Sequence, residues 1–185
     1  MFVHFDDTAW LSRDFTCTIS ELEKTLTSVK PFGQTAIHDA LILALDHMQR
    51  ARHKKKAILL ITDGEDNVSR HTLDEGVAAT KRADVAVYTV GLLRESGGKK
   101  AEATLRRIAD ESGGRAYFPK DVDEARVAME RVARDLREQY TLGFFSSNSN
   151  PDVSWRSLRI ELVPPPGVSS RLKANYRPGY YAPSK

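Results

Sequence analysis

Oxygen-bearing side chains crowd one stretch of this 185-residue chain. Thr62-Asp63-Gly64-Glu65-Asp66-Asn67 follows directly on the apolar run Ala57-Ile58-Leu59-Leu60-Ile61. Ligands of open α/β sheets bind beyond the carboxyl ends of the strands, so Asp63 stands where a functional carboxylate would stand. An Asp-Gly pair also simply turns a chain at the end of a strand, and the residues alone leave both readings open. Asp-x-Asp-Gly phosphatase chemistry is excluded, because the nucleophile position is Ile61. No Walker-type phosphate loop and no Gly-x-Ser-x-Gly elbow is present, so catalysis is not expected. Gly33-Gln34-Thr35 precedes a helix whose N-terminus suits an anion. Five histidines invite a metal or catalytic reading, but none lies at ligand spacing from another His or from Cys17. His38 and Asp39 are consecutive on a helix and do not share a face. His47 and His53 read as helix-surface residues, and His4, alternating with Phe, as pointing to solvent. Asp39 either steadies the Thr35 loop or favours the dipole of its helix, and the second reading is preferred.

The surrounding pattern must place these residues. The Ala57–Thr62 run has no polar alternation and reads as a strand buried on both faces, as in a parallel sheet covered by helices. Asp84 to Gly91 reads the same way. Ile37, Ala40, Leu41, Ala44, Leu45 and Met48 form one helical stripe. Ser20 with Glu23, and Thr72 with Glu75, have capping-box spacing; the first opens a helix to about Val29 with Leu22, Leu26 and Val29 inward. Helices are also expected from about Ala101 to Glu111, stopped by Gly113-Gly114, and from about Asp123 to Glu138. Phe2 to Phe5, a stretch spanning Trp10-Leu11 and Phe15 to Thr18, and Arg115 to Phe118 read as short strands. Lys30-Pro31-Phe32-Gly33 and the loop Arg94 to Lys100 are breaks. The alternation predicts a doubly wound, mostly parallel α/β sheet flanked by helices over residues 1–138. Residues 139–185 change character: Tyr140 to Phe145, Trp155 to Val163 and Arg171 to Tyr176 read as strands of a C-terminal antiparallel β extension, Pro164 to Gly167 as a turn, and Gly179 onward as a tail.

Hydrophobic residues at 41% and charged residues at 29% describe an ordinary globular chain. A net charge of +3, with no interleaved aromatics, argues against nucleic acid. The basic run Arg50 to Lys56 reads as the last turn of a helix. One cysteine excludes a disulfide framework. No stretch approaches the roughly 18 apolar residues of a membrane span.

Gly33-Gln34-Thr35-Ala36-Ile37-His38-Asp39-Ala40-Leu41 is similar to the second metal-site motif of von Willebrand factor type A domains, and Leu59-Leu60-Ile61-Thr62-Asp63-Gly64 resembles the third. Val87 to Gly91, Leu105 to Ala109 and Gly113-Gly114 fit the later strand, helix and turn. Gln139-Tyr140-Thr141-Leu142-Gly143-Phe144 and Tyr176-Arg177-Pro178-Gly179-Tyr180-Tyr181 resemble the bacterial subgroup first described from Acidobacteria.

The resemblance implies a Rossmann-like fold and a protein-binding, adhesion-type module with a metal-ion-dependent adhesion site for Mg²⁺, to which a protein partner adds a carboxylate. It makes Thr35 and Asp63 the metal ligands, with Asp66, Asn67 and Ser69 at the rim and Asp39 behind them. The family's Asp-x-Ser-x-Ser loop is absent from the sequence. Two protein oxygens leave most of an octahedral shell to water, so the site is expected to be incomplete and Mg²⁺ weakly held or not held. The family's first strand and helix have no counterpart here, so the chain is expected to be a fragment, or else the strands at Phe2 and Ala57 close up and pair. A metal-independent scaffold or assembly module is the alternative, and self-association through exposed strand edges is expected with either. Members of the subgroup often look exported, which implies a periplasmic or extracellular parent protein.

Overall fold

The computed structural model describes residues 1–30, 33–93, 98–148, 150–167 and 174–182. Two strands open the chain, β1 (Phe2–Phe5) and β2 (Ala9–Arg13), followed by α1 (Ile19–Ser28) and α2 (Ile37–Met48). The middle runs β3 (Ala57–Thr62), α3 (Leu73–Ala83), β4 (Ala86–Gly91), α4 (Lys99–Ser112), β5 (Ala116–Tyr117) and α5 (Val122–Arg137). β6 (Trp155–Ser157) and β7 (Gly179–Tyr181) close it. The result is the expected α/β arrangement: a parallel sheet β3-β4-β5 flanked by helices, with an antiparallel pair at each end of the chain, β1-β2 and β6-β7.

Register assigns the two faces of the parallel sheet. Ile58 pairs with Val87 and Leu59 with Tyr88, so alternate residues face opposite layers. Ile58, Leu60 and Val87 join Ile37, Leu41, Leu45, Val77, Leu105 and Ile108 in one core built with α2, α3 and α4. Val3 and Phe5 of β1 pack against the same cluster, which seats the β1-β2 hairpin on α2. The other face is covered by α5, which buries Ala128 and Val132 and brings Asp135 within 3.4 Å of the Tyr117 hydroxyl. Tyr88 and Val90 are buried there, but Leu59 and Ile61 remain 44% exposed. The expectation that β3 is buried on both faces is therefore corrected: α5 lies over β4 and β5 and stops short of β3. Nor do β1 and β3 pair; among the described residues β3 is hydrogen-bonded to β4 alone.

Local signals explain most element ends. The Thr72–Glu75 box is formed in both directions, and Gly113 ends α4 at φ +77, where a side chain would be strained. The Ser20–Glu23 box is not formed. Thr18 is the N-cap, and Glu21 is taken by the Thr16 hydroxyl at 2.8 Å, so the chain turns into α1 earlier. Leu26, expected inward, is exposed. Phe15 to Thr18 is not strand, and Arg50 to Lys56 lies beyond the end of α2.

Beyond α5 the expected strands shrink. Tyr140 to Phe145 is unpaired coil, β6 keeps three residues, and its partner is the expected tail, Gly179–Tyr181. Residues 174–176 are coil, whereas the expected breaks at 31–32 and 94–97 and strand positions 171–173 lie outside the described residues. The β6-β7 pair sits at the C-terminal ends of α3 and α4: Arg177 reaches Asp84 at 2.7 Å and the Lys81 carbonyl, Asn175 bonds the Gly113 and Gly114 carbonyls, and Lys81 lies over the Trp155 ring. No helix among the described residues is long and apolar enough to cross a membrane.

Candidate functional site

Three chain segments meet at the C-terminal end of β3. The turn after β1 binds the approach to α2: the Gln34 N–H donates to Asp7 Oδ1 at 2.6 Å, and the Ala36 N–H to the Asp6 carbonyl at 2.9 Å. Gly33 makes this approach possible, with φ +78 and Asp7 Oδ1 only 2.6 Å from where a Cβ would sit. The loop after β3 supplies the third segment. The Thr35 N–H donates to Asn67 Oδ1 at 2.9 Å, and the Asn67 N–H returns to the Thr35 carbonyl at 3.1 Å.

That loop also caps α2. The helix N-cap, Ala36, has no side-chain acceptor to offer. Asp66 Oδ2 instead accepts from the His38 N–H at 3.0 Å, and Ser69 Oγ from the His38 and Asp39 N–H groups at 3.1 Å each. Ser69 in turn donates to Asp66 Oδ2 at 2.5 Å. These satisfy donors that every helix start leaves open. Asp39 closes the clamp from the helix side, accepting from the Arg70 N–H at 3.1 Å, the His71 N–H at 3.0 Å and the His71 ring at 2.7 Å. Burial pushes the Asp39 carboxyl up, but these hydrogen bonds outweigh it and hold the group below its ordinary value. Asp39 thus binds a loop thirty residues away, which the preference for a dipole role did not anticipate. His38 turns Nδ1 to the His71 carbonyl at 3.2 Å, leaving Nε2 buried without a partner among the described residues.

Two oxygen-bearing side chains of the cluster are left over. Asp63 is exposed and accepts no hydrogen bond among the described residues, and neither does the half-buried Thr35 hydroxyl. Thr35 Oγ1 lies 3.4 Å from where a Cβ on Gly64, the residue after Asp63, would be. Glu65 faces Lys100 at 3.7 Å. The structure therefore gathers Thr35, Asp39, Asp63, Asp66, Asn67 and Ser69 at one end of the sheet, but it commits Asp39, Asp66, Asn67 and Ser69 to holding the loops. Asp6 and Asp7 are likewise occupied, with the Thr8 and Gln34 N–H groups.

A hard cation wants about six oxygens in an octahedral shell. Two uncommitted protein oxygens have the right chemistry and fall short in number, and no cluster of three or more His, Cys, Asp or Glu side chains occurs among the described residues. The residues present do not make a metal site by themselves.

His47, expected on a helix surface, is buried. It is 9% exposed, donates from Nε2 to Asp14 Oδ1 at 2.7 Å, and stacks on Phe15 with ring centroids 5.1 Å apart. The His47 hydrogen bond, with one from the Phe15 N–H, holds the Asp14 carboxyl below its ordinary value. His4 packs on Trp10 at 4.5 Å, on the side of β1 opposite to the core-facing Val3 and Phe5. A shallow cleft along α4, lined by Arg106, Arg107, Asp110, Glu111 and Pro178, shares no residue with the β3 loop.

Residues 5–150 match the family model of the von Willebrand factor type A domain. No curated protein sequence is significantly similar. Among solved structures, a von Willebrand factor type A protein from Catenulispora acidiphila superposes with a TM-score of 0.60 at 18% identity, over 72% of this chain and 33% of that one. The conserved hypothetical protein BatB from Bacteroides thetaiotaomicron gives 0.56 at 20% identity, over 74% and 78%. Proximal thread matrix protein 1 from the mussel byssus, solved with zinc in its metal-ion-dependent adhesion site, gives 0.54 at 20% identity, over 71% and 33%. The chain thus spans about a third of the first and third of these, and at such identities the likeness is one of fold. With the family model covering most of its length and a parallel sheet bearing the matching motifs at its carboxyl end, the chain belongs to the von Willebrand factor type A domain family, which is involved in protein interaction and adhesion.

Proposed function

We propose that this chain is a protein-binding module of the adhesion type, engaging a protein partner with the loops at the C-terminal end of β3. One observation carries the reading: in a cluster whose other polar side chains are consumed by its own architecture, the exposed Asp63 and the half-buried Thr35 hydroxyl have no hydrogen-bond partner among the described residues. Fixed loops presenting an uncommitted carboxylate and hydroxyl suit recognition, because no ordering cost falls on the groups that make contact. The cation site is incomplete. Thr35 and Asp63 supply two oxygens, so Mg²⁺ is held weakly or not at all, and recognition rests on the loop residues. No catalytic step is assigned, as Ile61 stands where a nucleophile would be needed.

Titration of the chain with Mg²⁺ alone, followed by calorimetry, tests the site. Binding weaker than about 10⁻⁴ M, lost in Asp63→Ala, is expected. Micromolar binding that survives Asp63→Ala would overturn the assignment.

A further inference from the structure

The basic run Arg50 to Lys56 is not the last turn of a helix, and Tyr140 to Phe145 is coil instead of strand. The fold brings both to one place, the end of the parallel sheet where its strands begin. The loop from α2 into β3 carries Arg50, Arg52, His53, Lys54, Lys55 and Lys56 there. α3 and α5 run against the strands and end at the same pole, α3 with Arg82 in its last turn and α5 with Arg134 and Arg137. The chain leaves α5 at this pole, where Lys55 Nζ donates to the Gln139 carbonyl at 3.1 Å. We propose that this pole docks on an anionic lipid bilayer: its cations meet the phosphate headgroups, and side chains of residues 140–145 enter the interface among them.

The positive charge exceeds what the fold uses. Of the acidic groups closing α3, α4 and α5, Asp84 is taken by Arg177 at 2.7 Å, Glu111 by Lys81 at 2.9 Å and Asp135 by Arg115 at 3.5 Å. Asp110 and Glu138, with Asp46 on α2, stay unpaired among the described residues and are outnumbered. Arg52, Lys54, Arg82, Arg134 and Arg137 are all exposed and make no ion pair among the described residues. Helix C-termini favour cations within their last turn, which accounts for Arg82, Arg134 and Arg137. It does not account for Arg52, His53, Lys54 and Lys55, which lie beyond the end of α2.

The apolar half of the pole separates a bilayer from other anions. Leu142 is 70% exposed, Tyr140 93% and Phe145 wholly so, and nothing lies within 4 Å of where a Cβ on Gly143 would be. The segment is held at both ends and bare between them. Lys55 holds Gln139 at one end. At the other, Phe144 meets Tyr180 edge-on at 5.5 Å, and the Arg156 guanidinium binds Ser146 and the Asn148 and Asn150 carbonyls. No charged residue occurs from Tyr140 to Asn150, so no carboxylate opposes entry into a negative interface. An acidic protein would engage the cations and has no need of Leu142 and Phe145. Bases of a nucleic acid stack on rings, but Leu142 offers no such face. A bilayer uses both halves, since anionic headgroups attract Lys and Arg while aromatic rings settle at headgroup level. One such signal gives marginal attachment and two give a stable one. Six residues of β3 span about 20 Å, so Thr35 and Asp63, at the far end of the strands, face away from the lipid.

This goes beyond the partner-binding reading and does not rest on it, so the test uses metal-free protein with no partner. The full chain is sedimented with vesicles of phosphatidylcholine, alone or mixed with phosphatidylglycerol. Binding is expected to the phosphatidylglycerol vesicles only, and it fades as salt rises. Arg52→Ala combined with Lys54→Ala should weaken partitioning about 25-fold, at about fivefold per cation. Phe145→Ser should weaken it about tenfold. All three positions are exposed and lie outside helices and strands, and circular dichroism checks that the variants are folded. No binding to phosphatidylglycerol vesicles overturns the proposal, as does equal binding to both kinds. Binding that Phe145→Ser leaves unchanged and poly-glutamate displaces overturns it in favour of an acidic protein. Tighter binding to single-stranded RNA than to vesicles overturns it in favour of a nucleic acid.

Discussion

The two faces of the parallel sheet start from the same strands and end differently. On the side of α2, α3 and α4, Ile37, Leu41, Val87, Leu105 and Ile108 are almost completely buried. On the side of α5, Tyr88 and Val90 are buried while Leu59 and Ile61, one strand over, are half in water. Strand chemistry cannot explain this, since Leu59 is flanked by Ile58 and Leu60, which are well covered. Coverage is decided by helices, and one helix spans two of the three strands. A sheet face is stable where a neighbouring layer reaches it, whatever its own residues prefer.

Substitutions can break that contrast or sharpen it. Leu105→Ala, in the covered face, should cost about 2–5 kcal/mol in denaturant unfolding, since it empties a site surrounded by fixed neighbours. A loss much under this would mean that the two faces are equally loose. Asp66→Ala should cost about 1–2 kcal/mol, because it removes the oxygen that caps α2 and leaves the Ser69 hydroxyl without its acceptor. An unchanged midpoint would show that water replaces the cap and that the loop does not tie the helix to the sheet. Leu59→Ala, measured at low protein concentration, should cost about 1 kcal/mol or less, as expected of a half-exposed side chain. A cost equal to that of Leu105→Ala would show that the open face is covered in solution.

The sequence discloses those parts of the fold whose cause is local. The stripe from Ile37 to Met48, the Thr72–Glu75 box and the stop at Gly113 each depend on residues within a few turns of one another, and each is found. Elements whose cause is distant were misread. Tyr140 to Phe145 has strand propensity but pairs with no strand among the described residues, whereas Gly179–Tyr181, read as a tail, is a strand because Trp155 to Ser157 lies alongside. The same division holds at the candidate site. Thr35 and Asp63 stand out in the sequence by their motifs. That Asp66 and Ser69 cap a helix starting some thirty residues earlier is invisible until the loop is folded back. His47 was misplaced for a similar reason, its partners Asp14 and Phe15 coming from the segment before α1.

The borrowed cap of α2 has a kinetic consequence. A helix that carries its own N-cap can begin to form before the rest of the chain has collapsed. Here the first turn of α2 waits for Asp66 and Ser69, which arrive only after β3 has been laid down and its loop has turned back. Closing that contact carries the entropy cost of a long loop, so the start of α2 forms together with the sheet and not ahead of it. The end of the molecule that presents Asp63 is then all or nothing: it cannot be half built, and no long-lived species displays its loops without the core beneath them.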